Sequence, residues 1–231
     1  MYKEHPDLAK PQMNQTIWHY YTLSKFLGMI DKSSIYLCRH DKFDDSFEGC
    51  LSAMDKQYFK GINPGMDKFL TGDRVGCYYS NCWTKGDVDE YVLWNSYASL
   101  KDGIAVRSTV EKLIASLEVE GERDVYISDV LYLDYAKDYT FKKTGGFVNT
   151  LAPHFAKREY FSSEKELRVM YVDSTGKFET SPEGVDIRVK LETLIEKVYV
   201  APFSFPWLIN VISNILEKYN LGGIDVLKSS I

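Results

Sequence analysis

Strand-like and helix-like segments follow one another through this 231-residue chain without regular βαβ alternation. That irregular order constrains the fold more than any single motif does. A doubly wound parallel sheet needs a helical crossover between successive strands, and this chain does not supply one at each step. The order predicts an α+β fold, with a bent or split antiparallel sheet and helices packed at its sides.

The first β-rich run covers 16–22 (TIWHYYT). Leu23, Phe26, Leu27 and Ile30 then repeat at helical spacing. A strand at 34–38 leads into a polar loop at 41–49, which Phe43 and Phe47 pin to the core. A helix is expected around Leu51, Met54 and Tyr58, then a Gly/Pro-broken connection at 61–72 and strands at 74–80 and 82–84. Asp87 with Glu90 and Ser108 with Glu111 read as capping boxes, the first opening a helix with Tyr91, Trp94, Tyr97 and Ala98 on its apolar face. Between them lies a strand at 103–107. One strand is expected over 124–135, a basic loop over 137–146, a helix through Leu151, Phe155 and Arg158, and a strand over 164–173. Strands at 185–190 and 196–201 follow. The last helix carries Leu208, Val211, Ile212, Ile215 and Leu216 and ends at Gly222 and Gly223, before a strand at 224–228. Residues 1–15 read as a loose arm and 16–231 as a single domain.

The formal net charge is −5, which argues against an electrostatic grip on bulk nucleic acid. The lysines and arginines between Lys137 and Arg168 are interspersed with acids and read as a solvated helix face. Residues 1–15 are polar, carry Pro6 and Pro11, and do not read as a signal peptide. The four cysteines are therefore expected as reduced thiols in a cytoplasmic protein. Cys77 and Cys82 are too far apart for a zinc knuckle, His40 and His154 lack partners at metal spacing and read as structural, and no bound metal is expected. No apolar run is long enough to span a membrane. Neither a phosphate-binding glycine loop nor a nucleophile elbow is present.

Glu164, Glu166 and Arg168 are spaced to share one face of a strand that continues into Met170 and Val172. Such a trio suits an active site at the mouth of a core strand, or else an ion pair on an edge strand. Trp18, Tyr20 and Thr22 share one face of the first strand, and His19 and Tyr21 the other. Asp44, Asp45 and Glu48 form a surface turn, a loop closing on a nucleotide, or an oxygen-ligand metal site. Trp83, Thr84, Trp94 and Tyr97 form an aromatic cluster that serves as core or as a stacking wall.

Four blocks occur in an order that resembles the family catalogued as domain of unknown function 2971. They are Tyr20-Tyr21-Thr22; Phe43-Asp44-Asp45-Ser46-Phe47-Glu48; Cys82-Trp83-Thr84 with Leu93-Trp94-Asn95-Ser96-Tyr97-Ala98 and Gly103-Ile104-Ala105; and Lys157, Phe161 and Glu164-x-Glu166-x-Arg168. The chain departs from the family pattern at Asp44 and Ser46, where the family has Asn and Pro. In layout the chain is also distantly similar to ADP-ribosyltransferase toxins, and that resemblance implies an NAD-dependent mono-ADP-ribosyltransferase. It implies Glu166 as the catalytic carboxylate, Glu164 acting on the acceptor, and Arg168 or Lys157 at the pyrophosphate. Tyr20 and Thr22 would hold the adenosine side, Asp45 would sit in a closing loop, and Trp83, Thr84, Trp94 and Tyr97 would flank a ring. By the same analogy the protein would be a toxin or phage-defence effector acting on a nucleic acid or protein, with an antitoxin partner. The alternatives are a metal-dependent nuclease or phosphodiesterase using Asp44, Asp45, Glu48, Glu164 and Glu166, or a non-catalytic nucleotide-binding module.

Overall fold

The computed structural model describes residues 2–62, 77–118, 124–140, 149–173 and 182–231. Positions 63–72 of the expected connection, 74–76 of the next strand and 141–146 of the basic loop lie outside the described residues.

The strands are β1 (Tyr2–Lys3), β2 (Thr16–Tyr21), β3 (Ser34–Arg39), β4 (Tyr78–Lys85), β5 (Ile104–Thr109), β6 (Leu117–Glu118), β7 (Val125–Asp129), β8 (Leu131–Leu133), β9 (Ala156–Arg158), β10 (Glu166–Val172), β11 (Gly184–Val189), β12 (Lys197–Val200) and β13 (Asp225–Lys228). The α-helices are α1 (Leu23–Lys32), α2 (Ala53–Ile62), α3 (Tyr91–Tyr97), α4 (Val110–Ser116), α5 (Leu191–Leu194) and α6 (Trp207–Lys218). Among the described residues, most strands join one large, mostly antiparallel sheet with helices at its flanks, and the fold is mixed α+β.

Local sequence explains the element that borders the site. Thr22 caps α1 by accepting from the Lys25 amide, while Phe26, Met29 and Ile30 bury the face that repeats every three to four residues. Ser33 then turns left-handed at φ 49° and ends the helix.

The main path of the sheet runs β1-β7-β10-β4-β2-β5-β12-β13. β10 lies between β7 and β4, so it is a central strand and not an edge. β4 forks along its other edge. Its end pairs with β2 at Ile17↔Lys85 and Trp18↔Thr84, and its start pairs with β3 at Cys38↔Ser80 and Arg39↔Tyr79. The β2–β4 ladder stops at Trp18 while β2 continues along β5 to Tyr21. This fork is the split in the sheet, and it sets the position of the cavity.

Several local expectations are corrected. The expected 124–135 strand breaks at Val130, whose amide bonds Glu166 O, and β8 leaves to pair with β9. The helix expected through Leu151, Phe155 and Arg158 is a short 3-10 turn, Ala152–Phe155, followed by β9. Asp87 and Glu90 do not form a capping box. Glu90 is itself the N-cap without a side-chain bond, because its amide donates to Tyr20 Oη and its carboxylate accepts from Lys165. At α4 the cap is Thr109 and not Ser108, whose hydroxyl donates to Leu194 O at 2.5 Å. α6 ends at Lys218, and the left-handed residue beyond it is Asn220 (φ 61°), ahead of Gly222. The first fifteen residues, expected to be loose, carry β1, and the Gln15 and Met13 carbonyls accept from Val110 and Glu111. No helix among the described residues is long and apolar enough to cross a membrane, and all four cysteines are free.

Candidate functional site

A cavity of about 870 Å³ opens at the fork, walled by β2, β4, one face of α1 and the loop from Lys42 to Glu48. That volume is toward the upper end of the range for small-molecule sites, roughly 300–1,000 Å³.

At one side of the cavity stands a cluster of five charged residues. Glu166 and Arg168 project from the same face of β10, and Arg168 donates from Nε to Glu166 Oε1 at 2.5 Å and from Nη2 to Oε2 at 3.2 Å. Glu48, carried in by the polar loop, takes the other edge of the guanidinium, at 2.9 Å from Nη2 and 2.8 Å from Nη1. Nη1 also donates to His154 O. Lys157, from β9, donates to Glu164 at 2.5 Å and to Glu166 at 3.4 Å, and lies 3.6 Å from Glu48. Tyr97, the last residue of α3, donates from Oη to Glu164 Oε1 at 2.6 Å.

Burial divides these groups by role. Arg168 is fully buried and Glu166 is 4% exposed. Burial alone would push the Glu166 carboxyl up, but the Arg168 guanidinium and Lys157 outweigh it and hold its pKa at about 2. Burial disfavours the Lys157 ammonium, yet Glu166, Glu164 and Glu48 together push its pKa up. Tyr97 is raised by burial and by its bond to Glu164, so its hydroxyl stays a donor. Among these carboxylates Glu164 is the most open, its side chain 15% exposed against 5% for Glu166 and 2% for Glu48.

The expected strand geometry is half right. Glu166 and Arg168 are strand neighbours, but Glu164 closes a 3-10 helix (Glu159–Glu164), and Lys165 at φ 45° turns the chain into β10. Tertiary contacts and not strand periodicity bring Glu164 beside Glu166. The edge-strand ion pair is excluded by the central position of β10. Lys157 and Arg168 are not part of a solvated helix face; both are buried on strands.

Of the eleven residues to which the resemblance gives a site role, nine line the cavity: Tyr20, Asp45, Trp83 and Thr84, then Tyr97, Lys157, Glu164, Glu166 and Arg168. Thr22 does not; its hydroxyl is occupied in capping α1. Trp94 does not either. It is fully buried against Tyr20, with its indole N–H on Asp89. Asp45 is held by Arg158 and caps its own turn through the Phe47 amide. Arg168 has its donors committed to carboxylates and a carbonyl, so it is a poor candidate for a pyrophosphate contact.

Sequence reasoning missed the role of Glu48 as the second carboxylate on Arg168; only the identity of its buried partner would have marked it. It took the two histidines as structural, and both are buried, but it did not show that they meet. His154 Nδ1 lies 3.0 Å from His40 Nδ1, His40 Nε2 lies 2.6 Å from Ser80 Oγ, and Tyr78 stacks on His154 at 3.6 Å. The partners are far apart in sequence, which is why spacing did not show them. Among the described residues no group of three or more His, Cys, Asp or Glu side chains is placed to hold a metal ion. Glu48, Glu164 and Glu166 are instead paired with Lys157 and Arg168.

No family model matches the chain, so none supports the resemblance to the domain of unknown function 2971. No curated protein matches it either. Among solved structures the chain is similar to Thermus sp. 2.9 DarT in complex with carba-NAD+, at 9% identity, covering 95% of this chain and 97% of that one, with a TM-score of 0.41. A likeness this remote assigns no activity.

Proposed function

We propose that the cavity binds NAD and that the protein transfers ADP-ribose from it to an acceptor. The observation that carries this reading is the charge balance of the cluster beside the cavity. Three carboxylates, Glu48, Glu164 and Glu166, face two cations, Lys157 and Arg168. The formal excess is one negative charge, and the most accessible of the carboxylates is Glu164. Breaking the bond between the nicotinamide nitrogen and the ribose C1′ develops positive charge on the ribose. A fixed negative excess in a sheltered site stabilises that charge more than it stabilises the ground state.

The step balances simply. Nicotinamide leaves as a neutral base with the electron pair of the glycosidic bond. The acceptor nucleophile forms the new bond at C1′, and its proton passes to a base. In this reading Glu164, steered by Tyr97 and Lys157, touches the ribose or the incoming acceptor. Glu166, held ionised by Arg168, keeps Lys157 in place and supplies charge from behind. The aromatic walls at Tyr20 and Trp83 suit the flat rings of a dinucleotide.

Purified protein incubated with NAD labelled in the adenylate, together with a cell lysate, tests the reading. Label should appear on macromolecules and be released by nuclease or by protease according to the acceptor class. A lysate that stays unlabelled while NAD remains intact would count against the proposal.

A further inference from the structure

Arg158 stands between two parts of the cavity wall. It ends β9 and is the N-cap of the 3-10 helix Glu159–Glu164, whose last residue is Glu164. Its guanidinium lies 4.2 Å from the centre of the Phe47 ring and 5.4 Å from that of Phe161. Phe47 belongs to the loop that carries Glu48, and Phe161 to the turn that carries Glu164. Nη2 donates to Asp45 Oδ1 at 2.8 Å, and the same oxygen accepts from the Phe47 amide. Asp45, Ser46, Arg158 and Phe161 all line the cavity. One side chain therefore touches both of the connecting segments that deliver a carboxylate, Glu48 and Glu164.

The pair with Asp45 is half made. Nε and Nη2 share one edge of a guanidinium, and their hydrogens point the same way, so that edge matches the two oxygens of a carboxylate. Arg39 meets Asp41 in this manner, with Nε on Oδ1 at 2.6 Å and Nη2 on Oδ2 at 3.0 Å. Arg168 meets Glu166 likewise. Arg158 uses Nη2 alone. Its Nε and Asp45 Oδ2 are both buried and both without a hydrogen-bond partner. A buried donor and a buried acceptor left unmade are costly. Each is the partner the other lacks, and they belong to groups already in contact.

We propose that Arg158 is a positioning residue for Glu164, and that its pair with Asp45 is a latch, half made in the free protein and completed when a ligand fills the cavity. The anchor for the movement lies at the end of the loop. Glu48 is fixed on Arg168 and Gly49 lies against the His154 ring, while Asp44, Ser46 and Phe47 are exposed. Joining Nε to Oδ2 draws the exposed half of the loop over the cavity. Through Arg158 it also holds the Glu159–Glu164 turn, so that Glu164 keeps its place beside Tyr97 and Lys157. The latch rests on the NAD reading for its ligand alone.

Two variants test it. Asp45→Asn keeps an acceptor for Nη2 and for the Phe47 amide, but sets an N–H donor against Nε. Arg158→Met keeps a long apolar stem between the two rings and removes the donors. Amide hydrogen exchange of 43–48 and of 159–164 is followed with and without NAD, with binding read by calorimetry and nicotinamide release measured separately. In the free protein Arg158→Met should speed exchange in both segments together by about tenfold, the scale of one charge-assisted hydrogen bond, and leave α1 and β10 unchanged. NAD should slow both segments by about tenfold or more in wild type, and by less than about threefold in Asp45→Asn. The Asp45→Asn protein should lose about tenfold or more in kcat, because a displaced Glu164 is misaligned with the reacting bond. Segments that loosen separately or not at all in Arg158→Met overturn the latch, as does NAD protection equal in wild type and Asp45→Asn. If NAD is bound but not cleaved, the transferase reading fails and the exchange data still decide the latch. If NAD is not bound, the cavity reading fails and the free-protein comparison decides the coupling.

Discussion

Glu166 and Arg168, two residues apart on one face of a central strand, form a two-point ion pair with Arg168 fully buried and Glu166 4% exposed. Removing one member leaves the other charged and poorly compensated, which typically costs about 3–5 kcal/mol. Glu166→Gln should therefore lower stability by roughly that amount in urea unfolding, as well as abolish activity. The pair is buried on a central strand and not at the surface, so Glu166 holds the fold as well as the charge. A Glu166→Gln protein as stable as wild type would show that the pair does not hold this part of the fold.

Glu164 should behave in the opposite way. It is more open and is not paired with Arg168. Glu164→Gln keeps the shape and an acceptor for Tyr97, and Lys157 keeps Glu166 and Glu48 as partners, so stability should fall by about 1–3 kcal/mol, less than for Glu166→Gln. Catalysis should fall by about 10²–10³, the usual cost of deleting one preorganised electrostatic group. Tyr97→Phe removes only the steering bond to Glu164. A loss of about tenfold in kcat with KM little changed, and a shifted pH profile, is expected. An unchanged pH profile would make Tyr97 a wall residue only.

Much of the site was legible because its residue types are unusual for a core strand. A Glu-x-Glu-x-Arg run entering Met170 and Val172 announces a buried charge, and the aromatic run at 16–22 announces a strand beside it. What the sequence concealed is what distance along the chain conceals. Glu48 meets Arg168 across 120 residues and His40 meets His154 across 114. Trp94 and Tyr97 looked equivalent on one helix turn, yet Trp94 is core and Tyr97 reaches Glu164. Short 3-10 turns, such as the one that delivers Glu164, have no strong periodicity to read.

The buried histidines set an acid limit on stability. His154 has its pKa lowered to about 3 by burial and then by Arg168, and burial, His154 and Arg168 likewise lower that of His40. Unfolded, both groups titrate near 6.5. The native state binds fewer protons below that pH, so the stabilising contribution is complete above about 6.5 and is lost as pH falls from there toward 3. Glu166 adds a second window, present above about 4.5 and lost toward 2. Urea midpoints should fall steadily from pH 6.5 to 4, and His154→Gln should flatten the upper part of that slope. A midpoint independent of pH between 6.5 and 5 would contradict the buried neutral pair.

Gly49 is the most constrained glycine near the site. It has φ +69°, and an added Cβ would meet His154 Cε1 at 2.5 Å while Tyr78 stacks on that ring. Gly49→Ala should cost roughly 2–4 kcal/mol from left-handed strain and overpacking. Because Gly49 follows Glu48, the change should also loosen the Arg168 cluster. A thermal scan showing no loss of Tm would mean that the loop is not seated on the histidines.

The most direct test of the central claim is nicotinamide release from NAD by purified wild-type and Glu164→Gln proteins, with circular dichroism confirming equal folding. The account predicts steady release by wild type and a loss on the order of 10²–10³ in the variant. Equal release by both proteins, or none from wild type with any acceptor fraction added, would contradict it.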